Sequence, residues 1–146
     1  MSSDAKPEPI HREEFTVPAE AVDGNGHVNN VVYVQWMQDV ASRHSEATGA
    51  ARATRAAKAS WFVRSHRVEY LGPAFAGDRI AVATWVVDFR RIRSRRRYKF
   101  TNAVTGKALV TGETEWVFVD RESGRPRAIT DDVKQCFAIL PGDQEP

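Results

Sequence analysis

The order of elements predicts an α+β fold: one short strand, one long helix, then about four antiparallel strands. Three observations carry this. Tyr33, Trp36, Met37, Val40 and Ala41 recur at i, i+3, i+4, i+7 and i+8, one apolar stripe on a helix. From Ser60 onward the apolar period becomes that of strands. The runs are separated by turns too short for helical crossovers, which favours antiparallel hairpins.

Each element has its own signal. Residues 10–17 hold Phe15 and Val17 and stop at Pro18, a short strand. Residues 19–29 are a loop rich in Gly and Asn. Asn29 or Asn30 is a good N-cap and Gly49 a good stop, so the helix runs from about Asn30 to about Thr48. Residues 50–59, small and basic, read as a helix end plus loop. Ser60–Leu71 is a strand broken by Gly72-Pro73. The strand after Gly77-Asp78 is apolar on both faces, with Ile80, Val82, Thr84 and Val86 on one and Ala81, Ala83, Trp85, Val87 and Phe89 on the other. One face covers the helix, and a partner subunit is the natural cover for the other. Residues 92–102 and Leu109–Val119 form two more strands around the turn Val104-Thr105-Gly106-Lys107. Thr130-Asp131-Asp132 caps a brief terminal helix reaching about Phe137. The expected organisation is a tail at 1–9, one domain at 10–140 and a second tail at 141–146.

Composition excludes several classes. At 146 residues with 42% hydrophobic and 27% charged, the chain suits a globular fold with a real core. No apolar run approaches the ~20 residues that span a bilayer. The polar N-terminus lacks the apolar stretch of a signal peptide, so a cytoplasmic protein is expected. The single cysteine, Cys136, excludes an intrachain disulfide and reads as a packed thiol. No histidine pair has ligand spacing with a supporting carboxylate or thiol, so no metal is expected. His11, His44 and His66 stand outside any motif, and His44 falls where it can meet the negative end of the helix. The net charge of +2 hides the basic run Arg90-Arg91-Ile92-Arg93-Ser94-Arg95-Arg96-Arg97-Tyr98-Lys99. Such clustering points to an anionic partner.

The chemistry concentrates in Asp23-Gly24-Asn25-Gly26-His27-Val28-Asn29-Asn30. A carboxylate, an imidazole and several amides sit where a helix begins and its unpaired N–H groups point outward. A carboxylate beside such donors can attack a carbonyl and hold the oxyanion that forms. The same Asp23 in a Gly-rich loop is also a natural Asx-turn residue.

Order and motif together resemble the hotdog fold, specifically the 4-hydroxybenzoyl-CoA thioesterase-like family of acyl-thioester hydrolases. The resemblance rests on Asp23, Asn25, His27-Val28-Asn29-Asn30, Tyr33 and Trp36, a string similar to that of plant acyl-ACP thioesterases. Val68-Glu69-Tyr70-Leu71-Gly72-Pro73-Ala74 and Gly77-Asp78 resemble the family's second-strand and turn pattern. The fold implied is a long central helix wrapped by a curved antiparallel sheet of about five strands. The activity implied is hydrolysis of an acyl-CoA or acyl-carrier-protein thioester, with no cofactor, in a homodimer or dimer of dimers whose sites lie between subunits.

The resemblance places the catalytic carboxylate at Asp23, as nucleophile or general base. The Asn30 backbone N–H is the expected oxyanion donor. His27 orients water or polarises the carbonyl, or else bonds a backbone carbonyl. Asn25 binds water or tolerates a left-handed turn. Asn29 shares capping with Asn30, and Tyr33 is the stripe residue best placed to reach a pocket. Strand alternation sets Arg91, Arg93, Arg95 and Arg97 on one face, suited to the phosphates of CoA, with Arg90, Arg96 and Ile92 on the other. Two other functions compete. A hotdog dehydratase or hydratase commonly carries a His-Phe-Pro-Gly string, which this chain lacks. A non-catalytic anion or nucleic-acid binder would use the arginine face, but no nucleic-acid-binding motif accompanies it.

Overall fold

The computed structural model describes residues 7–146. The first six residues of the expected N-terminal tail lie outside the described residues. The elements are β1 (Ile10–Thr16), α1 (Asn30–Thr48), α2 (Ala50–Ala56), β2 (Ala59–Tyr70), β3 (Arg79–Phe89), β4 (Arg93–Asn102), β5 (Ala108–Asp120) and a one-turn α3 (Asp131–Lys134). The strands form one antiparallel sheet in the order β1-β3-β4-β5-β2. β1 and β2 are its edges.

α1 begins and ends where its caps predict. The Asn29 side chain accepts from the Val31 N–H at 3.0 Å. Gly49 closes the helix in the left-handed conformation at φ 88°. Residues 50–56, expected as a helix end and loop, form α2 instead. Gly49 is thus a hinge between two helices. Alanine-rich sequence carries helix propensity but little apolar period, so pattern alone does not reveal α2.

The apolar stripe of α1 packs on the sheet. Tyr33, Met37, Val40 and Ala41 are buried with Ile80 and Val82 of β3, Tyr98 and Phe100 of β4, and Leu109 and Val110 of β5. The helix sits so close that a Cβ on Gly112 would lie 2.8 Å from Met37 Sδ, so any larger residue there makes the Met37 side chain move. Full burial of a side chain the size of Phe100 or Met37 contributes roughly 1.5–3 kcal/mol.

β3 follows the expected alternation until a bulge between Val86 and Asp88. Beyond the bulge the parity of the strand is inverted. Phe89, expected beside Trp85, packs instead in the cluster of Phe118, Ile129 and Val133. The other face of β3 is covered from within the chain. Ala83 and Trp85 pack against Leu140, and Trp85 Nε1 donates to the Glu145 carboxylate at 3.1 Å. The segment expected as a C-terminal tail therefore lies along the sheet, where a partner subunit was expected.

Candidate active site

Residues 22–28 form a small hairpin in front of α1. Val22 and Val28 pair across it, and His27 pairs with Phe75. Inside it the Asp23 N–H donates to the His27 carbonyl at 2.9 Å, and the Gly26 N–H donates to the Asp23 carbonyl at 3.0 Å. Asp23 Oδ1 accepts from the Asn25 N–H at 2.9 Å, so the Asx turn is formed. That bond leaves the second carboxylate oxygen free for other chemistry. The hairpin is tied to the helix start, because the N-cap Asn29 donates its N–H to the Ala21 carbonyl at 2.9 Å. Asp23 and the front of α1 thereby form one hydrogen-bonded unit.

Three N–H groups begin the helix. Val31 is satisfied by the Asn29 side chain, and Val32 by the Asn29 carbonyl at 3.0 Å. The Asn30 N–H makes no hydrogen bond among the described residues. It is the free donor at the positive end of a 19-residue helix. The Asn30 carbonyl accepts from Tyr70 Oη at 2.8 Å, which ties the helix start to the end of β2.

The segment 74–78 braces the hairpin from behind. The Val28 N–H donates to the Ala74 carbonyl at 2.9 Å. The His27 ring meets the Phe75 ring edge-to-face at 5.1 Å. The Phe75 N–H donates to Asp78 Oδ2 at 2.9 Å, closing the turn before β3. Tyr70, Phe75 and Asp78 are thus supporting residues that reading for chemistry passed over. The Gly77-Asp78 turn was the available signal.

Asp23 through His27, Asn29 and Asn30 are exposed in the single chain. Around them stand exposed apolar side chains: Val31, Tyr70, Leu71 and Phe75. Tyr33, expected to reach a pocket, is core. It packs edge-to-face with Trp36, Tyr70 and Phe100. Its hydroxyl is buried without a hydrogen-bond partner. Burial, and secondarily Asp78, pushes its pKa up to about 12.

The arginines are not brought to Asp23 within one chain. Arg95 is clamped by Asp88 at 2.8 Å. Arg97 bonds Glu113 at 2.8 Å and Glu145 at 2.7 Å. Arg93 lies 3.6 Å from Glu115. Arg91 falls in the turn before β4, off the strand face, and is exposed. This outer face of the sheet is a ladder of opposite charges, not an array of free cations. Arg96 turns inward, toward the C-terminal half of α1.

A model of the thioesterase-like superfamily matches residues 17–137. The chain belongs to that superfamily. It is 24% identical over 138 residues to an oleoyl-acyl carrier protein thioesterase of Arabidopsis thaliana, covering 89% of this chain and 38% of that protein. The chain spans between 27% and 38% of the length of the curated relatives it matches. Among solved structures it is similar to a hypothetical protein from Staphylococcus aureus in complex with CoA. That match has a TM-score of 0.80 and 21% identity, and covers 92% of this chain and 85% of the other. A 1,4-dihydroxy-2-naphthoyl-CoA thioesterase from Synechocystis aligns with TM-score 0.78 and 15% identity over 87% of this chain and 94% of the other.

The fold is therefore the hotdog fold that the sequence resembles, with its five-stranded antiparallel sheet and long helix. In this thioesterase-like chain the hairpin 22–28 and the first turn of α1 form one polar surface inside an apolar collar. Among the described residues no helix is long and apolar enough to cross a membrane.

Proposed function

We propose that the chain hydrolyses an acyl-CoA or acyl-carrier-protein thioester, with Asp23 as the catalytic carboxylate. The observation that carries this reading is the bond between Asn29 and Ala21, which holds the Asp23 hairpin against the helix end whose Asn30 N–H is free. Family membership supports the reaction class.

Two balanced routes use these groups. In one, the Asp23 carboxylate attacks the thioester carbon, the thiolate leaves, and water hydrolyses the resulting anhydride to free acid and Asp23. In the other, Asp23 takes a proton from water, the hydroxide adds to the carbon, and the thiolate leaves as the tetrahedral intermediate collapses. In both, the Asn30 N–H steadies the developing oxyanion, a contribution of roughly 3–4 kcal/mol for one such donor. His27, whose ring packs against Phe75, polarises the carbonyl or orients water in this reading. Asn25 holds the Asp23 carboxylate through its backbone.

A second copy of the chain is part of this proposal, because the site is exposed in one copy. β2 presents twelve residues whose outer edge is unpaired. Phe62, 64% exposed, stands on it. Long unpaired edges of this kind are ready to pair. The β2 edge and the collar of Val31, Tyr70, Leu71 and Phe75 give a neighbour both hydrogen bonds and apolar area. The test is release of free thiol from a panel of acyl-CoAs by purified protein, with Asp23→Asn and Asp23→Ala compared at equal oligomeric state. Turnover that vanishes in both supports the assignment, and turnover like wild type in both would falsify it.

A further inference from the structure

A cavity of ≈ 380 Å³ lies at the other end of α1, between α1, α2 and the inner face of the sheet. Trp61, Phe89 and Trp116 supply apolar wall, and Ser45, Ser94 and Arg96 supply polar groups. That volume is in the range of small-molecule sites.

Arg96 is the anomaly. The alternation of β4 turns it inward between Ser94 and Tyr98, where it is 5% exposed. Buried arginines are normally paired with carboxylates, as Arg95 and Arg97 of the same strand are. Among the described residues Arg96 has no such partner. One of its terminal nitrogens donates to His44 Nδ1 at 2.8 Å and to Thr84 Oγ1 at 3.1 Å. Its guanidinium carbon lies 5.4 Å from the Phe137 ring centre. These partners are neutral. Burial, then Arg96 and His11, push His44 down to about 3, so it carries no charge at neutral pH. Burial lowers Arg96 only to about 10, so it stays a cation. At the rim Arg55 and Glu46 pair with each other at 3.1 Å, and Arg121 adds a further positive charge. The lining is net positive around one uncompensated guanidinium.

We propose that this cavity binds a small organic carboxylate, its head on Arg96 and its apolar body against Trp61, Phe89 and Trp116. A single planar guanidinium matches one carboxylate in charge and shape. The carboxylate is that of a free acid, because Arg96 meets α1 at His44, fourteen residues and about 21 Å along the helix from Asn30, beyond the reach of a short acyl group held at Asp23. The proposal therefore stands apart from the thioesterase reading.

Melting of the whole chain is followed with benzoate, phenylacetate and octanoate, and with the matching neutral amides. At least one acid at millimolar concentration is expected to raise the melting temperature by several degrees and to shift the Arg96 side-chain NMR signal, while its amide does neither. Arg96→Met is expected to melt no lower than wild type without ligand and to lose the response to acid. No response to any acid, equal responses to acids and amides, or an acid response retained in Arg96→Met overturns the proposal. If Arg96→Met does not fold, the wild-type comparison of acid with amide decides alone. If no acyl-CoA releases thiol, the thioesterase reading fails while the acid-against-amide result still stands.

Discussion

At its N-terminus α1 emerges from a hairpin whose polar side chains, Asp23, Asn25, His27 and Asn29, all meet water. At its C-terminus the polar groups are inside: His44 is 3% exposed and Arg96 is 5% exposed. The first end is organised by backbone bonds, which set the loop and leave side chains free to react. The second is organised by side-chain bonds beside a cavity, where a buried charge without a counter-charge costs stability. The difference suggests a division of work. If both proposals hold, the open N-terminal end does the chemistry and the closed C-terminal end the recognition.

The largest expected effect breaks the open end. Asp23→Asn removes the carboxylate but keeps an oxygen for the Asn25 N–H, so the hairpin survives. We expect kcat to fall roughly 10²–10⁴-fold with the melting temperature almost unmoved. Asp23→Ala is expected to lose the same activity and also the Asx turn. If the two variants separate, with Asp23→Asn active, the carboxylate shapes the loop and does no chemistry.

The open end was legible in the sequence and the closed end was not, for physical reasons. Caps and aromatic stripe define α1 locally, so Asn29 and Gly49 mark its bounds. A turn motif is local too, and the eight residues from Asp23 to Asn30 carry it whole. Arg96 depends on which side of β4 is buried. Alternation separated it from Arg95 and Arg97 but left the choice of face open. Its parity with Tyr98 and Phe100, both buried, was the signal that could have decided it. Phe89 was misplaced because a bulge leaves no mark in an apolar run. Glu145 was taken for tail because its partners, Trp85 and Arg97, lie far away in sequence.

The closed end is sharpened by pH. His44 is at about 3 in the folded chain against an ordinary 6.5. Between those values the unfolded chain binds a proton that the folded chain does not. Stability is therefore complete above the ordinary value and falls as pH drops below it. Between pH 8 and pH 5 this amounts to about 2 kcal/mol. His44→Gln keeps an acceptor for Arg96 but cannot titrate. Urea unfolding at the two pH values is expected to show that much less loss for His44→Gln. Equal losses in both proteins mean that His44 protonates without hindrance and that its burial does not hold it neutral.

A smaller effect tests whether the open end is held by its cap. Asn29→Ala removes the bond to the Val31 N–H, which typically costs about 1 kcal/mol. It also frees a second donor beside the Asn30 N–H. Stability is expected to drop by that amount in denaturant titrations while KM for acyl-CoA changes little. A loss well above about 2 kcal/mol, the upper end for a cap, would mean that Asn29 anchors the hairpin as well as the helix.

The smallest effect concerns the outer arginines, which belong to neither end. If the phosphates of CoA from a neighbouring subunit's site rest on this face, its loosely held members must receive them. Arg91 is exposed, and Arg93 stands 3.6 Å from its carboxylate. Arg95 and Arg97 already give their donors to Asp88, Glu113 and Glu145. Arg95→Gln and Arg97→Gln are therefore expected to shift KM by less than about twofold, since partly exposed ion pairs contribute little. Arg91→Gln with Arg93→Gln is expected to raise KM roughly threefold or more with kcat unchanged, the mark of a contact made equally before and during reaction. The reverse order, with Arg97 the sensitive position, would show that Glu145 and the C-terminal segment leave the sheet when substrate binds. An unchanged KM in every variant leaves the ladder as surface charge balance alone, and the thioester is then gripped at the apolar collar around Asp23.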